Sequence, residues 1–301
     1  MTNLSPNTQG AILMIGSMAC FSAGDALIKW LGGALPLYQI MVVRGVLASA
    51  VIALLAHRMG ALRLRMSPQD ALMVLLRAIA ETASAYFFLT ALMFLPLANL
   101  TAIMQLTPLA VTLGGALFFA EKVGWRRWSA IAAGFAGMLL IVKPGAEAFN
   151  TYSVYGLITV LCVAVRDLAT RRMSGAVPTL TVTFCSSVMV LLFATVWSIG
   201  RDLAPVDGVT ALGLAGTAVF ITGGYLFSVA VMRVGEVSFV APFRYSGLLW
   251  AMVLGYLVFG EFPGALTLIG AAIVVGAGVY TLLRERALSR RARRSAAAAA
   301  R

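Results

Sequence analysis

Two long stretches of this chain repeat each other, and both consist mainly of apolar runs too long for a water-soluble domain. Asp25-Ala-Leu-Ile-Lys29 is echoed 142 positions later by Asp167-Leu-Ala-Thr-Arg171. At that offset Pro36 falls on Pro178, and each opens the next apolar run. Glu121, after Phe118-Phe119-Ala120, is matched at an offset of 140 by Glu261, after Val258-Phe259-Gly260. A duplicated, many-times-spanning sequence is the signature of a carrier whose substrate site lies between the repeats.

Residues are 61% hydrophobic and only 11% charged, where a soluble domain holds about 25% charged residues. Stretches of this length and apolarity read as membrane spans. We place them at 9–31, 37–57, 70–92, 97–118, 127–142, 153–172, 178–199, 208–231, 237–259 and 264–283. They must be helices, because lipid offers no partner to an unpaired backbone group. The fold class is therefore all-α and integral to the membrane, with ten spans. Met1 to Gln9 carry no basic residue, so the first run reads as a span rather than a cleaved leader. Cys20, Cys162 and Cys185 lie inside apolar runs, without metal-binding spacing, and read as packing residues.

The net charge of +12 would suit a nucleic-acid partner, but its distribution argues otherwise. With the N-terminus in the cytosol, the inside loops and tail hold Arg58, Arg63, Arg65, Lys122, Arg126, Arg127, Arg171, Arg172, Arg233 and every arginine from Arg284 to Arg301. The outside loops hold only Lys143 and Arg201. This asymmetry predicts a bacterial-type inner membrane protein with both termini cytosolic and no nucleic-acid partner. The basic tail, 284–301, reads as a topology signal in contact with membrane lipid. Five spans per half is an odd number, so the second repeat, 153–283, must lie upside down relative to the first, 9–142. Two inverted five-helix repeats suit alternating access.

The ten-span, two-repeat layout resembles the drug/metabolite transporter superfamily, specifically its EamA-type members. The resemblance rests also on Ala120-Glu121 and Gly260-Glu261 closing the fourth and ninth spans. Small-residue helices follow them, Ala130 to Gly137 and Gly270 to Gly278, and Arg44 stands early in the second span after Pro36. It implies a carrier of small organic molecules, often an exporter of amino acids or other metabolites. It also implies a central cavity walled by both repeats, with spans five and ten peripheral. Riboflavin and carboxylate carriers belong to the same group, so direction stays open. Arg44 departs from the symmetry, since its repeat partner is Ser186.

Charge inside a bilayer is costly and faces a partner or a water-filled cavity. Eight such residues occur: Asp25, Lys29, Arg44, Arg77, Glu81, Arg166, Asp167 and Arg244. A rise of about 1.5 Å per residue puts Asp25 and Arg44 about 9–10 Å from the outer surface, and Arg77, Asp167 and Arg244 about 8–10 Å from the inner one. Two ionic layers are expected, pairing Asp25 with Arg44 or Lys29, and Asp167 with Arg77. Glu81, one turn from Arg77, lies nearest the middle, and Arg166 is expected to snorkel. Five bases against three acids leave a surplus, assigned to Arg44 and Arg244 as contacts for an anionic or electron-rich substrate group. Asp25, Glu81 and Asp167 are the candidates to carry a coupling proton.

Tyr86 and Tyr225 correspond at an offset of 139, and Tyr245 follows Arg244. Asn99, Thr101 and Gln105 lie on the fourth span, which Thr107-Pro108 should kink, as Pro242 should kink the ninth. With Arg44 and Arg244, the residues Tyr86, Asn99, Gln105, Tyr225 and Tyr245 form the candidate substrate site, suited to a flat or aromatic small molecule. Trp125, Trp128 and Trp197 read as interfacial anchors. His57 is the only histidine, and no phosphate-binding loop, metal cluster or nucleophile triad is present. These features predict no cofactor and no enzymatic activity, and leave a secondary carrier, for export or exchange of an amino-acid-like, anionic or aromatic metabolite. Vitamin uptake is the runner-up. A non-transporting scaffold or sensor would have no reason to keep Arg44 and Arg244 at depth.

Overall fold

The computed structural model describes residues 6–61, 65–119, 125–143, 150–234 and 240–299. Glu121 and the side chain of Tyr225 lie outside the described residues, as do Arg63, Lys122 and the side chains of Arg233 and of the tail arginines. Every described regular element is helical.

The spans appear where the apolar runs place them. In order they are α1 (Pro6–Leu31), α2 (Leu37–Arg58), α3 (Pro68–Phe94), α4 (Leu97–Met104), α5 (Thr107–Phe118), α6 (Trp125–Val142), α7 (Tyr152–Arg172), α8 (Thr179–Ser198) and α9 (Gly208–Val234). A 3₁₀ turn (Ala241–Tyr245) then leads into α10 (Ser246–Phe259), and α11 (Ala265–Ala299) completes the chain. Eight of these stretches are long and apolar enough to cross a membrane, and Trp128–Val142 and Ala265–Thr281 are shorter apolar helices. Pro36, Pro96 and Pro178 stand immediately before α2, α4 and α8, with φ near −60°. There a ring-locked φ starts a helix without sacrificing an interior hydrogen bond.

The fourth span, Leu97–Phe118, bends at Pro108, with Gln105 and Leu106 keeping helical backbone angles. Pro108 has no N–H, so α4 stops at Met104, and the Thr107 hydroxyl donates to the stranded Met104 carbonyl at 2.7 Å. The ninth span opens as the 3₁₀ turn holding Pro242. The last helix continues through the basic tail to Ala299.

Helix pairing obeys an inverted two-fold. α1 packs along α9, α3 along α7, α2 along α8, and α6 along α11. Exchanging the halves turns α1–α9 into α7–α3 and maps α2–α8 and α6–α11 onto themselves. The ties between α2 and α8 follow the same rule. At one end the Gln39 amide donates to the Ala204 carbonyl and accepts from its N–H, both at 2.9 Å. At the other end Thr181, the repeat partner of Gln39, donates to the Ala61 carbonyl at 2.5 Å.

Small residues set the closest approaches. A Cβ added to Gly137 would meet the Gly270 carbonyl oxygen at 2.8 Å, and one on Gly270 would meet that of Gly137 at 2.5 Å. Backbone contact of this kind replaces hydrophobic burial as the source of helix association in lipid. Buried hydroxyls add ties to backbone: Ser17 donates to the Gly224 carbonyl at 2.8 Å and Ser22 to that of Gly247 at 3.3 Å.

Candidate functional site

A cavity of about 590 Å³ lies between the two repeats, walled by α1, α2 and α3 of the first and α7, α8 and α9 of the second. Each helix contributes one face. Phe21, Asp25 and Ile28 line it from α1, and Met41, Arg44, Ala48 and Ile52 from α2. Arg77, Glu81, Ser84 and Phe88 do so from α3, with Thr159, Val163 and Arg166 on α7. Spacings of three and four residues place these side chains on one side of a helix. Gly24, Gly45 and Ala85 are also on the wall, and a Cβ added to Gly45 would meet Leu191 of α8 at 3.2 Å, so this glycine lets α2 and α8 approach.

The cavity is closed at the end where α2 begins. Ile28, Met41 and Leu89 are almost fully buried there, backed by Leu31, Ile40 and Leu92. An aromatic cluster thickens this closure. Tyr86 lies edge-on to Phe193 at 5.9 Å and to Trp197 at 5.3 Å, and Trp197 meets Tyr38 at 5.9 Å. Tyr38 donates through its hydroxyl to the Asp202 carbonyl, and Arg201 stacks over both Tyr38 and Trp197. The repeat partners of Phe193 and Trp197 are Val51 and Leu55, which are 39% and 40% exposed, so the opposite end has no such cluster at these positions. There the side chains of Glu81, Arg166 and Asp167 keep 26%, 26% and 37% exposure.

Two charged groups face the cavity. Toward the closed end, Asp25 and Arg44 attract each other across the space, and among the described residues neither has a hydrogen bond or ion pair. Toward the other end, Arg166 donates to Glu81 at 3.1 Å and to Asp167 at 2.9 Å. Arg77 donates to the Thr170 hydroxyl at 2.7 Å. Three arginines and three carboxylates therefore line the wall.

These contacts correct several expectations. Lys29 neither snorkels nor pairs with Asp25. Its ammonium donates to Glu261 and to the Leu95 carbonyl, both at 2.6 Å, and lies 5.0 Å from the Phe259 ring centroid. Glu261 also accepts from the Leu97 N–H at 3.1 Å, capping α4 from the connection between α10 and α11. Gly260, at φ +65°, makes the left-handed turn that brings Glu261 there. Arg166 is the hub of the second group, because one guanidinium can serve carboxylates on two helices. With Lys29 neutralised by Glu261 and Arg244 exposed off the wall, the expected positive surplus is gone from the cavity.

Of the seven candidate substrate residues, Arg44 lines the cavity. Tyr86 belongs to the aromatic closure. Asn99, Gln105, Arg244 and Tyr245 are off the wall, and the fourth span meets the cavity through Met104 instead. The amide oxygen of Asn99 and the hydroxyl of Tyr245 are buried without hydrogen-bond partners among the described residues, Tyr245 against Gly278 on α11. Trp197 joins the closure, whereas Trp125 and Trp128 are exposed at the start of α6. Reasoning from sequence passed over the wall hydroxyls of Ser84, Thr159, Thr183, Ser187 and Thr217. Their helical spacing from the charged residues was the available signal. Ser186, the partner of Arg44, faces the same cavity with its hydroxyl unpartnered.

An inverted-repeat helical membrane protein with a charged cavity at its dyad has the architecture of a carrier. The chain belongs to the EamA-like transporter family, whose model matches residues 8–143 and again 150–283. It is 26% identical over 272 residues to the pseudopaline exporter CntI of Pseudomonas aeruginosa strain UCBPP-PA14, covering 88% of this chain and 93% of that one. It is 25% identical over 275 residues to an S-adenosylmethionine uptake transporter of Rickettsia bellii, covering 90% and 92%. A riboflavin transporter of Vibrio cholerae is 26% identical over 288 residues, covering 95% and 96%. A solved crystal structure shares the fold at a TM-score of 0.62 and 20% identity, over 93% of this chain and 98% of that one.

Proposed function

We propose that the protein is a secondary carrier that exports or exchanges an amino-acid-like metabolite bearing both charge signs across a bacterial inner membrane. The observation that carries this reading is the pair Asp25 and Arg44, opposite in charge, unbonded among the described residues and facing one cavity. A dipolar solute satisfies both, its carboxylate on the guanidinium and its ammonium on Asp25. A cavity of about 590 Å³ is of the size that holds a small organic molecule. The orientation follows from the basic loops, with both termini cytosolic. The closed end is then external and the carrier faces inward. Rocking of one repeat against the other would expose the same site outward.

Phe21 and Phe88 on the wall favour a second reading, uptake of a flat conjugated vitamin such as riboflavin. One experiment separates the two. Purified protein is heated with each of the twenty common L-amino acids, with simple carboxylates and with riboflavin, since a ligand of the folded state raises its stability. Stabilisation by amino acids, lost in Arg44→Ala, is the expected result. Stabilisation by riboflavin alone would favour the second reading, and by carboxylates alone would refute the dipolar site. The domain limits, 9–142 and 153–283 with a basic tail at 284–301, remain part of this proposal.

A further inference from the structure

We propose that Asp25 is the coupling carboxylate of the carrier, taking a proton and the cationic group of the substrate in turn, so that transport exchanges protons for substrate. This rests on the reading of the cavity as a site for a dipolar solute.

Three carboxylates line the cavity, and the structure separates them. Glu81 and Asp167 both accept from Arg166, and Arg77 adds a further cation to the same layer. A proton reaching either would neutralise a carboxylate bonded to an arginine and so give up that ion pair. Asp25 differs, since no hydrogen bond or ion pair holds it among the described residues.

The groups that face Asp25 from the packed helices are few. Arg44 on α2 acts on it across the cavity. Arg77 and Glu81 on α3, and Arg166 and Asp167 on α7, share the cavity. From α9 the wall residues are Thr217 and Ile221, and α10 contains no charged residue. Arg244 in the 3₁₀ turn is exposed, and Lys29, one turn along α1, is committed to Glu261. Among the described residues, Asp25 thus answers to Arg44 and to whatever enters the cavity.

The exchange balances. A carboxylate holding a proton is neutral and cannot pair with an ammonium group. Binding of the dipolar solute therefore requires Asp25 to release its proton to the solvent on that side. After the carrier turns and the solute leaves, Asp25 takes a proton from the other side. One proton moves against one solute of zero net charge, so each cycle transfers one positive charge.

The test uses the full-length purified chain in weakly buffered detergent near neutral pH. An equimolar mixture of the twenty L-amino acids is added, and a pH indicator and thermal stability are followed together. The wild type should be stabilised and release up to about one proton per chain. Asp25→Asn should release none, and Glu81→Gln should release as the wild type does. Stabilisation of the wild type without proton release would overturn the coupling role and leave the transport reading standing. Release retained in Asp25→Asn would do the same. If Asp25→Asn does not fold, Glu81→Gln and Asp167→Asn decide: release retained in both supports Asp25, and release lost in either overturns the proposal. No stabilisation of the wild type overturns both readings.

Discussion

At the scale of single residues, two arginines on the same wall have opposite duties. Arg44 has no bonded partner among the described residues, so its removal leaves little unsatisfied. Arg44→Ala should change stability by less than about 1 kcal/mol, yet weaken solute binding about tenfold or more, the loss expected of one charge-assisted hydrogen bond. Binding and melting measured on the same preparation check this. A double variant, Asp25→Ala with Arg44→Ala, sharpens it. Restored transport would make Arg44 a mere counter-ion, and continued inactivity in a folded protein is expected. Arg166 is the reverse case. Its loss strands Glu81 and Asp167 together, and like charges left beside each other are costly. Because all three side chains keep contact with water in the cavity, we expect Arg166→Gln to destabilise by about 1–3 kcal/mol, read as a lower melting temperature. Glu81→Gln in the same background should recover part of the loss.

At the scale of elements, the small residues have separable roles. Gly270 presses on the Gly137 carbonyl, so Gly270→Ala must push α6 and α11 apart. Overpacking of this kind costs about 1–3 kcal/mol. Gly276 on the same helix has nothing within 4 Å of an added Cβ, so Gly276→Ala should be silent. Since no described residue of α6 or α11 lines the cavity wall, solute affinity in Gly270→Ala should hold even as its melting temperature falls. A drop in affinity comparable to Arg44→Ala would show instead that this peripheral pair shapes the site. The α10–α11 corner acts differently, for Gly260 turns the chain so that Glu261 can bind Lys29 and cap α4 in one contact.

For the whole molecule, the inverted repeat and the basic loops make one geometric prediction. Once Cys20, Cys162 and Cys185 are replaced, Thr151→Cys should react with a membrane-impermeant thiol reagent applied to intact cells. Met59→Cys should react only after the inner membrane is opened. Both positions are exposed in the structure, so access depends on the side they face. Reaction of both from outside would refute the proposed orientation. The closed end carries the aromatic cluster of Tyr38, Tyr86, Phe193 and Trp197, whereas the partners of Phe193 and Trp197 at the other end are aliphatic and exposed. The two ends of an otherwise symmetric molecule are thereby given different closures.

Sequence alone determined the element list, because lipid imposes it: an apolar run of bilayer length must be a helix, and five per half forces inversion. It also identified the residues that had to be explained. Asp25, Arg44, Arg77, Glu81 and Asp167 were legible as cavity charges because each is too costly to leave in hydrocarbon. Which charge meets which could not be read from depth, since depth fixes position along the membrane normal and says nothing of rotation about it. Lys29 and Asp25 share a helix face, yet Lys29 reaches Glu261 through a turn made by Gly260. Arg166 lies beside its expected snorkelling route, yet bridges α3 and α7. The candidates on the fourth and ninth spans lie off the cavity wall for a related reason. The proline bends were legible, but not the rotation of the helices they join: the fourth span shows the cavity Met104, and Asn99 and Tyr245 are buried off the wall. Partner choice and side-chain direction depend on the rotation of packed helices, which only the tertiary structure decides.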